Sequence, residues 1–319
     1  MNGPTQLSSL APIRPGVPDD AFITFASPEE RCLGVPKLFS KYLSKQVCIL
    51  TIVDEPNSSR NRNISEIKEA AASVGVAREF HVRHDDAVFG IAELAAVTAS
   101  REGAITIDIS TFPRVSLLLV LRAIELASER CVVRIVYSEP ASYDESASNR
   151  GGPGFKATAV VPTFVAPFTP SEEVILVMFL GFERDRALGV WRSVEPNKTI
   201  AVLASPAYQG TFESRARAVN APILAATETK NVYLVDARNP LQTYEFLEGL
   251  ILNGGWPAQT NFYIAPLGTK PQTVGTYCFC RDYPDAACII HAAPLEHHRQ
   301  YIASGVGRSW ILPFVQAKS

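Results

Sequence analysis

Arg31-Cys32-Leu33-Gly34-Val35 returns, with one substitution, as Arg186-Ala187-Leu188-Gly189-Val190, 155 residues further along the chain. A pentapeptide alone is weak evidence, so its surroundings decide what the repeat means. Each copy follows a short apolar run, residues 22–25 in the first case and Val174–Leu180 in the second. After each comes a helix-like stretch and then an apolar segment rich in β-branched residues, 47–53 and 199–204. Further on, the apolar segments Ala104–Asp108 and 261–265 each lead into a polar turn. These turns are Ile109-Ser110-Thr111-Phe112-Pro113-Arg114 and Pro266-Leu267-Gly268-Thr269-Lys270-Pro271, and aligning Ile107 with Ile264 gives an offset of 157. A helical pattern follows each turn (115–127 and 272–280), then a strand-like run (132–137 and 287–291), then Pro140 or Pro294 at an offset of 154. Several landmarks at nearly one spacing indicate an internal duplication.

Each half then reads strand, helix, strand, helix, strand, helix, strand. Strands that are apolar throughout, alternating with helices, predict a parallel sheet covered on both faces. The expected fold is α/β: two tandem, duplicated Rossmann-like halves with mainly parallel sheets flanked by helices. Residues 142–170 are rich in Gly, Pro, Ser and Ala around Gly151-Gly152-Pro153-Gly154 and read as the connection. The expected division is a flexible tail over 1–20, a first half over 21–165 and a second over 166–319. The tail carries four prolines and no apolar stretch of the kind a signal peptide has. A cytoplasmic protein with reduced thiols is expected.

Composition narrows the function classes. Thirty basic residues nearly balance 32 acidic ones, which argues against general nucleic-acid binding or attachment to a membrane surface. The longest apolar runs, 117–121 and Val174–Leu180, fall far short of the roughly 20 residues of a membrane span. The six cysteines contain no C-x-x-C pair, so no metal site is expected, and Cys278-Phe279-Cys280 reads as core filling. No nucleophile elbow, zinc-protease motif, calcium loop, dinucleotide fingerprint or P-loop occurs. No resident cofactor is expected and no catalytic residue is assigned.

In open parallel sheets, ligands collect beyond the carboxyl ends of strands, where helix amino termini offer unpaired N–H groups and partial positive charge. The two polar turns lie there. In the second half Gly268 permits close backbone approach, Thr269 offers a hydroxyl as helix cap or ligand donor, Lys270 supplies charge and Pro271 suits a first helical position. In the first half Asp108, Ser110, Thr111 and Arg114 occupy the equivalent place. Asp108 can accept from a ribose hydroxyl, cap the next helix or pair with Arg114. Arg184, in Glu183-Arg184-Asp185-Arg186, lies beyond the first strand of the second half and is a further ligand-binding candidate. Ser27 and Glu30 can form a capping box at the equivalent place in the first half. His81, His84, Asp85 and Asp86 are the densest titratable cluster. His297, His298, Tyr301, Ser304 and Arg308 read mainly as surface residues.

A Rossmann-like half ending in a strand, then Gly268-Thr269-Lys270-Pro271, then a helix resembles the CRISPR-associated Rossmann fold (CARF) sensors. Two such halves in one chain resemble the related SAVED sensors of bacterial antiphage systems. The resemblance implies an oligonucleotide second messenger as ligand, held partly by that loop, and an effector. Because Ser110-Thr111-Phe112-Pro113 stands where a second Gly-Thr-Lys copy would be expected, it implies an asymmetric site and an effector on a separate protein.

The leading expectation is a ligand-binding module, not an enzyme, with a nucleotide or other phosphorylated small molecule in the cleft between the halves. Lys270 and Arg114 would supply charge, Gly268 and Thr269 donors, and Asp108 a hydroxyl acceptor. One alternative is an enzyme acting on a nucleotide or phosphosugar, with Asp108, Glu139 or Glu183 as base or nucleophile. The other is a non-catalytic assembly protein that binds only a partner chain.

Overall fold

The apolar runs leave no polar face to turn toward water, so they become strands buried on both sides. The computed structural model describes residues 3–52, 57–83, 88, 90–98, 103–127, 130–143, 155–170, 172–294 and 303–316. In chain order the elements begin with β1 (Thr5–Leu7), β2 (Ala21–Phe25), β3 (Gln46–Ile52), α1 (Ser58–Ala71), β4 (Val76–Val82) and α2 (Ile91–Thr98). β5 (Ala104–Asp108), α3 (Arg114–Ala127), β6 (Val132–Ser138), β7 (Ser142–Tyr143) and β8 (Phe155–Val160) follow. Then come β9 (Val174–Leu180), α4 (Arg184–Val194), β10 (Lys198–Ala204), α5 (Phe212–Val219), α6 (Ala221–Ala226), β11 (Val232–Val235) and α7 (Pro240–Leu247). β12 (Asn261–Pro266), α8 (Lys270–Asp282), β13 (Cys288–Pro294), β14 (Ala303–Ser304) and β15 (Ser309–Leu312) complete the list.

The chain divides into two compact units. One comprises Met1–Asp144 with Tyr301–Ser319, the other Glu145–Gln300. The first contains a seven-stranded sheet in the order β1-β15-β6-β5-β2-β3-β4. Its strands β6, β5, β2, β3 and β4 run parallel, while β15 and β1 join antiparallel. The second contains a six-stranded sheet, β11-β10-β9-β12-β13-β8, with five parallel strands and β8 antiparallel at the β13 edge.

In both sheets the parallel strands stand in the order third, second, first, fourth, fifth along their own half, so the duplication is one of topology. The repeated pentapeptides follow the first strand of each unit. Cys32 and Val35 bury themselves in one core, Ala187 and Val190 in the other. The winding reverses between β2 and β5 in the first unit and between β9 and β12 in the second. Beyond the carboxyl ends at such a point lies the crevice in which this architecture holds ligands.

Three expectations are corrected. Residues 3–20 are not a loose tail. β1 pairs with β15, Leu10 is buried, and Asp19 is fully buried. Asp19 accepts from Ile13 N (2.8 Å), the Tyr42 hydroxyl (2.9 Å) and Thr106 Oγ1 (2.8 Å), and it faces Arg134 Nη2 at 3.3 Å. An unpaired carboxylate in that position would be costly, so the network fastens the segment.

The second correction concerns the boundary. It falls at 144/145 instead of 165, and residues 301–319 return to the first unit, because Trp310, Ile311 and Leu312 complete the edge of β6. Part of the expected connection, 155–160, is the edge strand β8.

Third, each half has one more parallel strand, β4 or β11, than the four expected from the alternation, although the residues around His81 read as the end of a strand. Both are sheet edges. β4 alternates exposed and buried residues, and β11 has only four residues with Leu234 exposed, so neither carries the continuous apolar signature of a central strand. Among the described residues, no helix is long and apolar enough to cross a membrane.

Candidate functional site

β5 delivers Asp108 to the winding reversal of the first unit, where it is 1% exposed. Its Oδ1 accepts from Ser110 N at 3.0 Å and from Ser110 Oγ, the local turn an aspartate forms with an N–H two residues ahead. Its Oδ2 has no hydrogen-bond partner, and neither has Oγ1 of Thr24, the residue paired with it on β2. Thr51 Oγ1, next to last on β3, and Asn63 Oδ1 on α1 are likewise buried without partners. Asn63 donates to Ser27 O at 2.8 Å, tying α1 to the end of β2. Strand alternation puts Thr24, Thr51 and Asp108 on the sheet face that carries Phe22 and Ile49 and that α1 covers through Ile64 and Ile67. Buried polar groups are nearly always paired, so this group of oxygens marks the edge as unusual. Burial pushes the Asp108 carboxyl up to about 7, against the opposing pull of the Ser110 hydrogen bonds, Arg31 and the nearby Thr24 hydroxyl, whose contact with Oδ2 falls short of a well-formed hydrogen bond.

Arg31, from the repeated pentapeptide, lies close by with its side chain 7% exposed. Nε donates to Glu29 Oε2 at 2.5 Å. Burial opposes its charge, but the Glu29 carboxylate outweighs that and holds the guanidinium firmly protonated. Cys32 beside it is no nucleophile, because burial pushes its thiol up to about 12.

The other candidates of the first half share the turn between β5 and α3. Thr111 Oγ1 donates to Phe25 O, and Ser110 Oγ accepts from Ser138 N at 2.8 Å. Arg114 is the first residue of α3. Ser27 Oγ accepts from Glu29 N at 3.0 Å, so it closes a short turn and not the capping box with Glu30.

The second unit treats the equivalent place differently. Thr269 is the N-cap of α8 in a complete capping box: its hydroxyl accepts from Gln272 N (3.3 Å) while Gln272 Oε1 accepts from Thr269 N (3.0 Å). The same hydroxyl donates to Ala237 O at 2.7 Å. Of the two roles open to Thr269, the structure shows the cap. A Cβ on Gly181 would sit 2.6 Å from Leu267 O, and one on Gly268 would sit 3.1 Å from Phe179 Cβ. Lys270 is half-buried as the first residue of α8. Arg184, first in α4, is exposed and makes no hydrogen bond or ion pair among the described residues.

Glu183 pairs with Arg186 at 2.7 Å, and Glu139 Oε1 accepts from Trp310 Nε1 at 2.9 Å, so both carboxylates have structural partners. His84, Asp85, Asp86, His297, His298 and Tyr301 lie outside the described residues. Among the described residues, no group of three or more His, Cys, Asp or Glu side chains is placed to hold a metal ion. The structure thus brings Asp108, Ser110, Thr111 and Arg114 together in one unit and Arg184, Gly268, Thr269 and Lys270 in the other. It adds Thr24, Arg31, Thr51 and Asn63, which the sequence reading passed over. Arg31 carried a signal, since it opens the repeat, whereas threonines in β-strands look like ordinary strand formers.

No family model matches the chain, and no curated protein does. Among solved structures it is similar to the cytoplasmic domain of a prokaryotic cation chloride cotransporter. There the identity is 9% over 87% of this chain and 96% of that one, with a TM-score of 0.29. It is also similar to Haemonchus contortus phosphoethanolamine N-methyltransferase 1 in complex with phosphoethanolamine and S-adenosylhomocysteine. That identity is 7% over 79% of this chain and 70% of that one, with a TM-score of 0.24. Likenesses this slight say nothing of what the chain binds.

Proposed function

We propose that the chain is a binding module for a phosphorylated, hydroxyl-bearing small molecule, a nucleotide or sugar phosphate, held at the carboxyl edge of the first unit. Asp108 carries the reading: a buried carboxyl at the winding reversal whose Oδ2 makes no well-formed hydrogen bond and has only the Thr24 hydroxyl of the paired strand beside it. A ligand hydroxyl donating to Oδ2 supplies the missing bond and favours the charged carboxylate. Because Asp108 is 1% exposed, binding requires local opening of the edge and is slower than simple encounter. The sensor role implied by the resemblance to CARF and SAVED proteins belongs to the same proposal, with a separate effector protein as partner. The Gly268-Thr269-Lys270-Pro271 motif serves as a helix cap, which is why the site is assigned to the first unit.

The test is isothermal titration with a panel of nucleotides and sugar phosphates, followed by two variants. Asp108→Asn keeps an acceptor for Ser110 and replaces the other oxygen with a donor. A ligand identified on the wild type is expected to bind Asp108→Asn at least about tenfold more weakly, the loss of one hydrogen bond to a charged group, and Lys270→Ala as well as wild type. The reverse pattern assigns the site to the second unit and sinks the proposal. A carboxyl titrating near 7 also suits a general acid or base, which favours a second reading as an enzyme. Turnover of the bound ligand, absent in Asp108→Asn, identifies that case.

A further inference from the structure

We infer that Arg31 is the phosphate-binding residue of this site, presenting Nη1 and Nη2 together to an oxyanion. The inference rests on the first unit's carboxyl edge being the binding site, and it names the group that takes the ligand's charged end.

The duplication supplies an internal comparison. Arg31 and Arg186 hold the same position in the repeated pentapeptide, after the first strand of sheets with the same order. In the second unit every guanidinium nitrogen is engaged. Nη1 of Arg186 meets Glu183 Oε1 at 2.7 Å, while Nε and Nη2 both donate to Ala292 O, at 3.2 and 3.0 Å. That arginine is a brace between α4 and β13. In the first unit only Nε is engaged, by Glu29 Oε2. Nη1 and Nη2 of Arg31 make no hydrogen bond or ion pair among the described residues, although the side chain is 7% exposed, against 13% for Arg186.

A guanidinium buried that deeply with only Nε paired to the protein is costly unless water or an anion meets the rest. Glu29 holds one edge and fixes the plane, leaving the Nη1/Nη2 edge as a pre-set fork. Its spacing suits two oxygens of one phosphate. Arg31 lies just after β2, whose Thr24 pairs with Asp108 on β5, so the arginine and the carboxyl stand at the same carboxyl edge of the sheet. The Arg31 charge acts on Asp108.

The test uses the full chain and inorganic phosphate, then pyrophosphate, as probes in isothermal titration. Arg31→Lys keeps the charge and removes the fork, and it is expected to weaken phosphate at least about tenfold. Arg186→Lys is expected to bind phosphate as wild type does. Equal phosphate affinity in Arg31→Lys and wild type overturns the inference, whatever the Asp108→Asn comparison shows for the complete ligand. If Arg31→Lys does not fold, crystals of the wild type soaked in arsenate decide. An anomalous peak within hydrogen-bonding distance of Nη1 and Nη2 is expected. A peak only at Lys270, or none at all, overturns it.

Discussion

At the scale of single residues, Asp108 joins the site to a measurable property of the fold. Burial pushes its carboxyl up to about 7 in the folded chain, from the ordinary 3.8 of an exposed aspartate. Between those values the folded chain keeps a proton that the unfolded chain has released. Stability tied to this group is therefore fully present below about pH 4 and declines until the pH passes 7. Asp108→Asn keeps the neutral shape at every pH. Urea unfolding is expected to show the variant and wild type close together near pH 3. At pH 8 the variant should be more stable by roughly 2 kcal/mol or more. Equal stability of the two at pH 8 would mean that the fold accepts the charged carboxylate, and that Oδ2 has a partner after all. Asp108 was legible in the sequence because it ends an apolar strand. Arg31 was present as part of a repeat, but a repeat announces fold before function. Nothing in the sequence distinguishes an arginine braced against a carbonyl from one left half-paired.

The elements behave according to how much of their setting the sequence carries. The start of α8 was partly readable: Thr269 as a possible cap and Pro271 as an early helical residue were in view, whereas the return bond from Gln272 was not. The sequence left open whether Thr269 served the helix or a ligand, and the bond to Gln272 answers for the helix. Thr269→Ala removes that cap and the bond to Ala237 O. It is expected to lower the free energy of unfolding by about 1–2 kcal/mol in urea while leaving ligand affinity at the first unit unchanged. A loss of affinity with no loss of stability would return the loop to the site. Edge strands were the illegible elements. β4 and β11 each pair on one side only. Their composition is set as much by solvent as by the sheet, and periodicity tuned to buried strands passes over them.

On the scale of the whole molecule, two parallel cores with one strand order followed from the repeat, but the path of the chain did not. Ser309–Leu312 is four residues long, and nothing in so short a run says which half it joins. It lies between β1 and β6, so the first unit needs both ends of the chain, while the second is continuous. A fragment of residues 145–300 is accordingly expected to unfold cooperatively by itself. Residues 1–144 alone, with β1 unpaired and one edge of β6 uncovered, are expected to aggregate or stay partly unfolded and to be rescued by adding 301–319. Cooperative folding of 1–144 without that segment would show β15 to be dispensable. The most direct test of the central claim is native mass spectrometry of the chain as purified from cells, alongside Asp108→Asn and Lys270→Ala. A phosphorylated small molecule is expected on wild type and Lys270→Ala and is expected to be lost from Asp108→Asn. A molecule that stays on Asp108→Asn and leaves Lys270→Ala would contradict that claim.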